Sequence, residues 1–352
     1  MKIIYSFNKK GFEADYWTRE IAAASTPECQ FIPFNHDSYL NPNLYIRAQL
    51  LDNLYFQEQP GLKRMYEDIE RRITETGADA LLVDTCPPYH PDFLRKLNIY
   101  KVLRINDGPM SAYDRDFAYL HAYDHVLYHS PAYSRDMGIE EKLQYCGARR
   151  TSFWPLGSFD AICDPLKTED DTLSTPRDID VVFIGALHVN KMPLIAAVKK
   201  ALGRRMLLHG LTSLKKNVYF NLKYKFPGWI TPLPFNQYVP LYQRAKIGIN
   251  VHNRGDFTVG SYRMFDLPAN GVMQICDGGP YLETFFAVGK EVVSYRGSDE
   301  LIDKLQYYLT HDEERKQIAI NGFRRVQKNY KIAGLLREAG NIIKKGMETR
   351  VP

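Results

Sequence analysis

Arg263 and Asp266 stand three residues apart in the stretch SYRMFDLPANGVMQICDGGPYLE, residues 261–283. The stretch reads as a short helix closed at Gly271, where a left-handed residue is wanted, then a buried strand over 272–276. Asp277-Gly278-Gly279-Pro280 is the turn that ends it. The spacing puts both charges on one helix face. An arginine at a helix start opposes the macrodipole. Either an anionic partner offsets that cost, or Arg263 makes a plain surface ion pair with Asp266. Asp107 follows an apolar strand over 100–106 and precedes Gly108-Pro109. A carboxylate there can act as a general base toward an acceptor hydroxyl. It can equally cap the next helix or make an Asx turn. His188, Asn190 and Lys191 follow the strand 179–184 and its closing Gly185-Ala186. A turn with a lysine at a helix start can cradle a diphosphate, or simply expose a loop lysine. His209-Gly210 ends the next strand. Glu13 and Asp15 read as solvated acids of a helix start.

Metal chemistry finds little support. Asp114-Arg115-Asp116 has DxD spacing but lies in a helical-looking stretch with no apolar strand before it. No histidines pair at HxxxH spacing. The five cysteines (29, 86, 146, 163, 276) are odd in number, widely spaced and free of CxxC, a reduced intracellular pattern. No GxGxxG, GxSxG, P-loop or kinase signature occurs.

The elements that must position these residues alternate regularly. Strands over 3–7, 30–33, 80–84, 100–106, 125–129 and 152–157 are separated by helical patterns, as in a doubly wound α/β domain. The reading places an N-terminal domain over 1–165, a polar linker over 166–178 and a second α/β domain over 179–330. A basic C-terminal helix over 331–352 packs back across both domains or offers a face to an anionic membrane. Ligands are expected at the carboxyl ends of strands, in a cleft between the domains. The composition is that of a globular chain of 352 residues: 45% hydrophobic, 25% charged, net charge +5. The mild basic excess suits an anionic small molecule, polymer or membrane surface. No run approaches the roughly 18 apolar residues of a membrane span, and the N-terminal apolar run is short for a signal peptide. A cytoplasmic protein is expected, with peripheral membrane contact allowed.

Consecutive blocks of the second domain resemble the glycosyltransferase group 1 family, in particular its spore-maturation (CgeB-like) branch. They are DVVFIGAL, LYQRAKIGINVH, YRMFDLPANGVMQICDGGPYLETFF, GKEVVSYRGSDELIDKLQYYL and DEERKQIAINGFRRV, in the family's order. The resemblance implies a GT-B fold of two Rossmann-like domains, with a nucleotide-sugar donor on the second and the acceptor on the first. It implies that Arg263 neutralises the donor diphosphate, and that Asp266, where the family usually has Glu, accepts from the nucleoside ribose. It further implies that the Gly185 turn and Lys191 approach the phosphates, and that the loop 230–233, Ile230 first, contacts the base largely through its backbone; Asn190 and His209, placed at strand ends by the residue reading, join them as donor-binding candidates. No cofactor and no metal are implied. In the first domain, KVLRINDGPMSAY is similar to the strand-Asp-x-x-P segment of this branch and to phage DNA β-glucosyltransferases. The resemblance implies Asp107 as the base of an inverting transfer; a retaining transfer, which the same fold also serves, needs no such base. The expected acceptor is a hydroxyl of a glycan, a lipid-linked intermediate or a cell-surface precursor. Alternatives are a DNA-modifying glucosyltransferase, which needs a basic groove with several phosphate contacts, and a non-catalytic nucleotide-sugar-binding coat protein.

Overall fold

The computed structural model describes residues 1–84, 88–105, 116–130, 137–160, 168–210, 213–226, 228–252 and 260–349. The chain divides into two units, Met1–Pro155 with Ile332–Pro352, and Leu156–Lys331.

The first unit is built on six parallel strands: β1 (Lys2–Phe7), β2 (Gln30–Asn35), β3 (Ala80–Val83), β4 (Tyr100–Ile105), β5 (His125–Tyr128) and β6 (Thr151–Phe153). Their order is β2-β1-β3-β4-β5-β6, so the winding reverses between β1 and β3. The central strands are buried on both faces, which explains their unbroken apolar runs. The helix Pro60–Thr76 covers one face with Leu62, Met65, Tyr66 and Ile69, and ends at Gly77 in the left-handed region (φ 62°). The irregular stretch before it folds as a 3-10 turn and the helix Ala48–Phe56. The C-terminal helix Ile332–Glu348 belongs to this unit. It buries Leu335, Leu336, Ala339 and Ile343, and its Leu335 carbonyl accepts from Trp154 Nε1 at 2.7 Å.

The second unit has five parallel strands: β7 (Ile179–Ile184), β8 (Met206–His209), β9 (Ala245–Asn250), β10 (Met273–Asp277) and β11 (Val293–Tyr295). Their order is β11-β10-β9-β7-β8, with the reversal between β7 and β9. The stretch expected to be a linker carries the helix Glu169–Ser174, whose Thr168 and Asp171 form a reciprocal capping box. It lies inside the second unit. Arg177 follows and donates to four carbonyls, those of Tyr242, Ala245, Thr172 and Asn270. Gly271 has the anticipated positive φ (66°) after the helix Arg263–Ala269, and any Cβ there would crowd the Arg177 guanidinium. The helices Ser298–Tyr308 and Asp312–Asn329 follow β11, with Gly297 and His311 in their N-terminal cap positions.

Candidate functional site

Arg263 begins its helix beside the reversal of the second sheet. Its Nε donates to the Ile184 carbonyl at 2.6 Å and its Nη1 to Asn250 Oδ1 at 3.1 Å. One guanidinium thus bridges the carboxyl ends of β7 and β9, where an open α/β sheet takes its ligands. It lies 5.0 Å from the Phe183 ring centroid. Gly185 makes this possible: a Cβ there would come within 1.8 Å of Arg263 Nη2. Of the two sequence readings of Arg263, the surface ion pair gives way to a half-buried cation held by backbone and amide oxygens.

Lys191 caps the helix Met192–Leu202 and is buried. Burial, then the neighbouring Arg263 charge, lowers its ammonium to about 8, with Asp277 opposing. Among the described residues its ammonium makes no hydrogen bond or ion pair. Two cations therefore face one strand-end region with no carboxylate paired to either among those residues, an arrangement that an anion would relieve. The preceding loop exposes His188 and Asn190. Gly185 N–H donates to the His209 carbonyl at 3.1 Å, tying the ends of β7 and β8 together. His209 Nδ1 lies 3.3 Å from Thr231 Oγ1.

Two residues at this end were not singled out as site residues from the sequence. Asp277, read as a turn residue, ends β10, and His252 follows β9. Asp277 Oδ2 accepts from the His252 backbone N–H at 2.9 Å, and Oδ1 meets His252 Nδ1 at 2.6 Å. His252 Nε2 is buried without a partner among the described residues. Burial alone would raise the Asp277 carboxyl, but the His252 hydrogen bonds outweigh it and the net shift is downward. Donor atoms of His252, Cys276 and Asp277 lie within 4.8 Å of one another, close enough to consider a metal. Burial and the Asp277 charge push the Cys276 thiol well up, keeping it protonated, and Nδ1 is already committed to the carboxylate. The chemistry present is that of a buried imidazole oriented through Nδ1 by a carboxylate.

Other anticipated residues fall differently. Asp266 is buried and accepts from Ser158 Oγ at 3.0 Å. Ile230 is buried as well. Its N–H donates to Asn217 Oδ1 and its carbonyl accepts from Asn217 Nδ2, each at 3.0 Å, so Asn217 fixes the backbone of the loop at Ile230. Asp107 lies outside the described residues, as do Asp114 and Arg115. At the carboxyl ends of the first sheet, Arg104 is buried. Its Nη1 donates to Tyr5 Oη at 2.6 Å, and its guanidinium sits 4.3 Å from the Trp154 ring centroid. Ser6 Oγ there joins His36 Nδ1 (2.9 Å) to Tyr89 Oη (2.7 Å), and burial lowers His36 to about 3, so its ring is neutral.

Residues 192–339 match a family model described as glycosyl transferase-like. Comparison with curated protein sequences gives no match. The fold is shared with solved structures along nearly the whole chain. Sucrose-phosphate synthase from Thermosynechococcus elongatus superposes with a TM-score of 0.66 at 14% identity, covering 99% of this chain and 100% of that one. Anabaena HepE in complex with UDP-glucose gives 0.61 at 11% identity, covering 99% and 100%. A UDP-forming α,α-trehalose-phosphate synthase from Burkholderia xenovorans gives 0.56 at 11%, covering 99% of each. At such identities the likeness establishes the fold, which is GT-B: two Rossmann-like units, each with a parallel sheet.

Proposed function

We propose, from a glycosyl transferase-like domain over residues 192–339, that this protein is a glycosyltransferase using a nucleoside-diphosphate sugar. The observation that carries the reading is the pair of cations, Lys191 and Arg263, at the β7–β9 reversal with no carboxylate paired to either among the described residues. A diphosphate is the anion whose size and charge suit two adjacent cations. Uridine is the first nucleoside to test, since HepE has been solved with UDP-glucose.

In this reading the acceptor, a hydroxyl of a glycan or lipid-linked intermediate, loses its proton to Asp107 as its oxygen bonds to the anomeric carbon. The bond from that carbon to the diphosphate oxygen breaks on the opposite face, and configuration inverts. Charge grows on the departing diphosphate, where Arg263 and Lys191 stabilise it in a largely desolvated setting. The two cations fill the role a divalent metal plays elsewhere. His252, oriented by Asp277, stands at the same strand ends.

The deciding test is a thermal-shift series with UDP, GDP, dTDP, CDP and CMP. A nucleotide at about 100 times its dissociation constant adds roughly 2.7 kcal/mol. A shift with one diphosphate and none with the monophosphate fits the proposal; no shift with any of them rejects it. Gly185→Ala should still fold, with a modest loss of Tm, because the new Cβ meets the end of a flexible side chain but displaces the guanidinium from Ile184 and Asn250. It should nevertheless weaken diphosphate binding about tenfold, through displacement of a charge-assisted contact.

Lys191 makes binding pH-dependent. Its pKa is lowered to about 8, so the free protein loses this charge as pH rises through that value. Diphosphate affinity should hold below that pH and fall above it, and Lys191→Met should flatten the profile. For folding the sign is opposite: the unfolded lysine keeps its proton to higher pH, so this group's penalty on stability fades as pH rises from about 8 toward 10.4. Titration calorimetry across pH 7 to about 9.5 separates the two effects.

A further inference from the structure

The helix Leu214–Tyr224 is built inside out. Its inward residues include Asn217, which clamps Ile230, and Phe220, while Asn221 Nδ2 donates to the Gly228 carbonyl at 3.2 Å. Its leucines face water: Leu222 is 78% exposed, Leu214 72% and Val218 44%. These three recur at every fourth position and so line one arc of the helix. Trp229, in the turn beyond, is 58% exposed. A monomeric soluble surface rarely leaves so many large apolar side chains together without a partner.

The charges beside the arc are of one sign. Lys215, Lys216, Lys223 and Lys225 fall between residues 213 and 229, and that span has no Asp or Glu. Lys223 reaches back to Tyr219 Oη at 2.7 Å, leaving its stem along the helix. Exposed leucines, an exposed tryptophan in the turn beyond and lysines along one flank match a helix lying in the plane of a bilayer interface, its apolar face among acyl chains and its ammonium groups at anionic headgroups. The C-terminal helix, also basic, spends its apolar face on the first unit. No helix among the described residues is long and apolar enough to cross a membrane.

We propose that the helix Leu214–Tyr224, with Trp229, is a peripheral docking surface for anionic lipid bilayers. The proposal is independent of the transferase reading: it concerns where the protein rests, whatever reaction it performs. The test is co-sedimentation of the full chain with vesicles of phosphatidylcholine containing about 30 mol% phosphatidylglycerol, beside vesicles of phosphatidylcholine alone. Binding to the anionic vesicles is expected, and at least about tenfold weaker binding for the Leu214→Glu/Leu222→Glu variant with unchanged Tm. Lys215→Glu/Lys216→Glu is the second variant. It keeps every apolar contact and should lower binding to anionic vesicles, with little effect on the weak binding to neutral ones. Failure of the wild type to sediment with either vesicle overturns the proposal, as does equal binding by wild type and both variants. A wild-type dimer in light scattering that Leu214→Glu/Leu222→Glu dissolves, without vesicle binding, also overturns it and assigns the patch to a second copy.

Discussion

Asp107→Asn should slow sugar transfer by about 10²–10⁴-fold, the usual contribution of a positioned general base. Nucleotide affinity should remain that of the wild type, because the residue belongs to the first unit and the cations to the second. The change keeps shape and removes basicity, so kcat falls and the thermal shift with diphosphate persists. The measurement is a transfer assay with the donor identified by thermal shift, together with the anomeric configuration of the product by NMR. An inverted product formed slowly by the variant supports the base. A product of retained configuration, made at the wild-type rate by Asp107→Asn, sinks it.

Arg263→Ala is expected to abolish the diphosphate-induced thermal shift. Charge-assisted hydrogen bonds contribute roughly 1.5–3 kcal/mol each, so losing one or two weakens binding on the order of 10²-fold. The variant also leaves Asn250 Oδ1 and the Ile184 carbonyl without this donor, so some loss of Tm is expected in the absence of ligand. Arg263→Lys separates the contributions. It restores charge but not the planar fork that reaches both strands, so it should recover part of the binding and little of the lost geometry. An unaltered dissociation constant for Arg263→Ala, by calorimetry, would remove Arg263 from the donor site and leave it as a structural clamp.

The fold was legible because both sheets are parallel. Strands covered on both faces must be apolar throughout, and helices between them must alternate, so β1, β4, β7 and β8 stand out in the chain as written. Arg263 was legible for a local reason, as a cation at a helix start closed by Gly271. His252 and Asp277 were not, since their meeting depends on register. Parallel pairing of Cys276 with Asn250 brings the ends of β9 and β10 level, a contact between residues 25 apart. The clamp on Ile230 was hidden for the same reason: Asn217 sits on a helix that the apolar pattern hides. In the helix Leu214–Tyr224 the leucines and Val218 point outward and Phe220 is the one fully buried apolar side chain, so no core-facing stripe announces it.

Arg177 holds carbonyls contributed by several separate segments, Thr172, Tyr242, Ala245 and Asn270. None of those segments can peel away without stranding a guanidinium that burial has already pulled down to about 10. The entry of the chain into the second unit is thereby coupled to the end of the Arg263 helix and the start of β9. Local fraying at any of these places is discouraged, and partial opening gives way to concerted opening. The second unit should behave as a single cooperative foldon, its rigidity fixed at the amino ends of its interior strands β7 and β9.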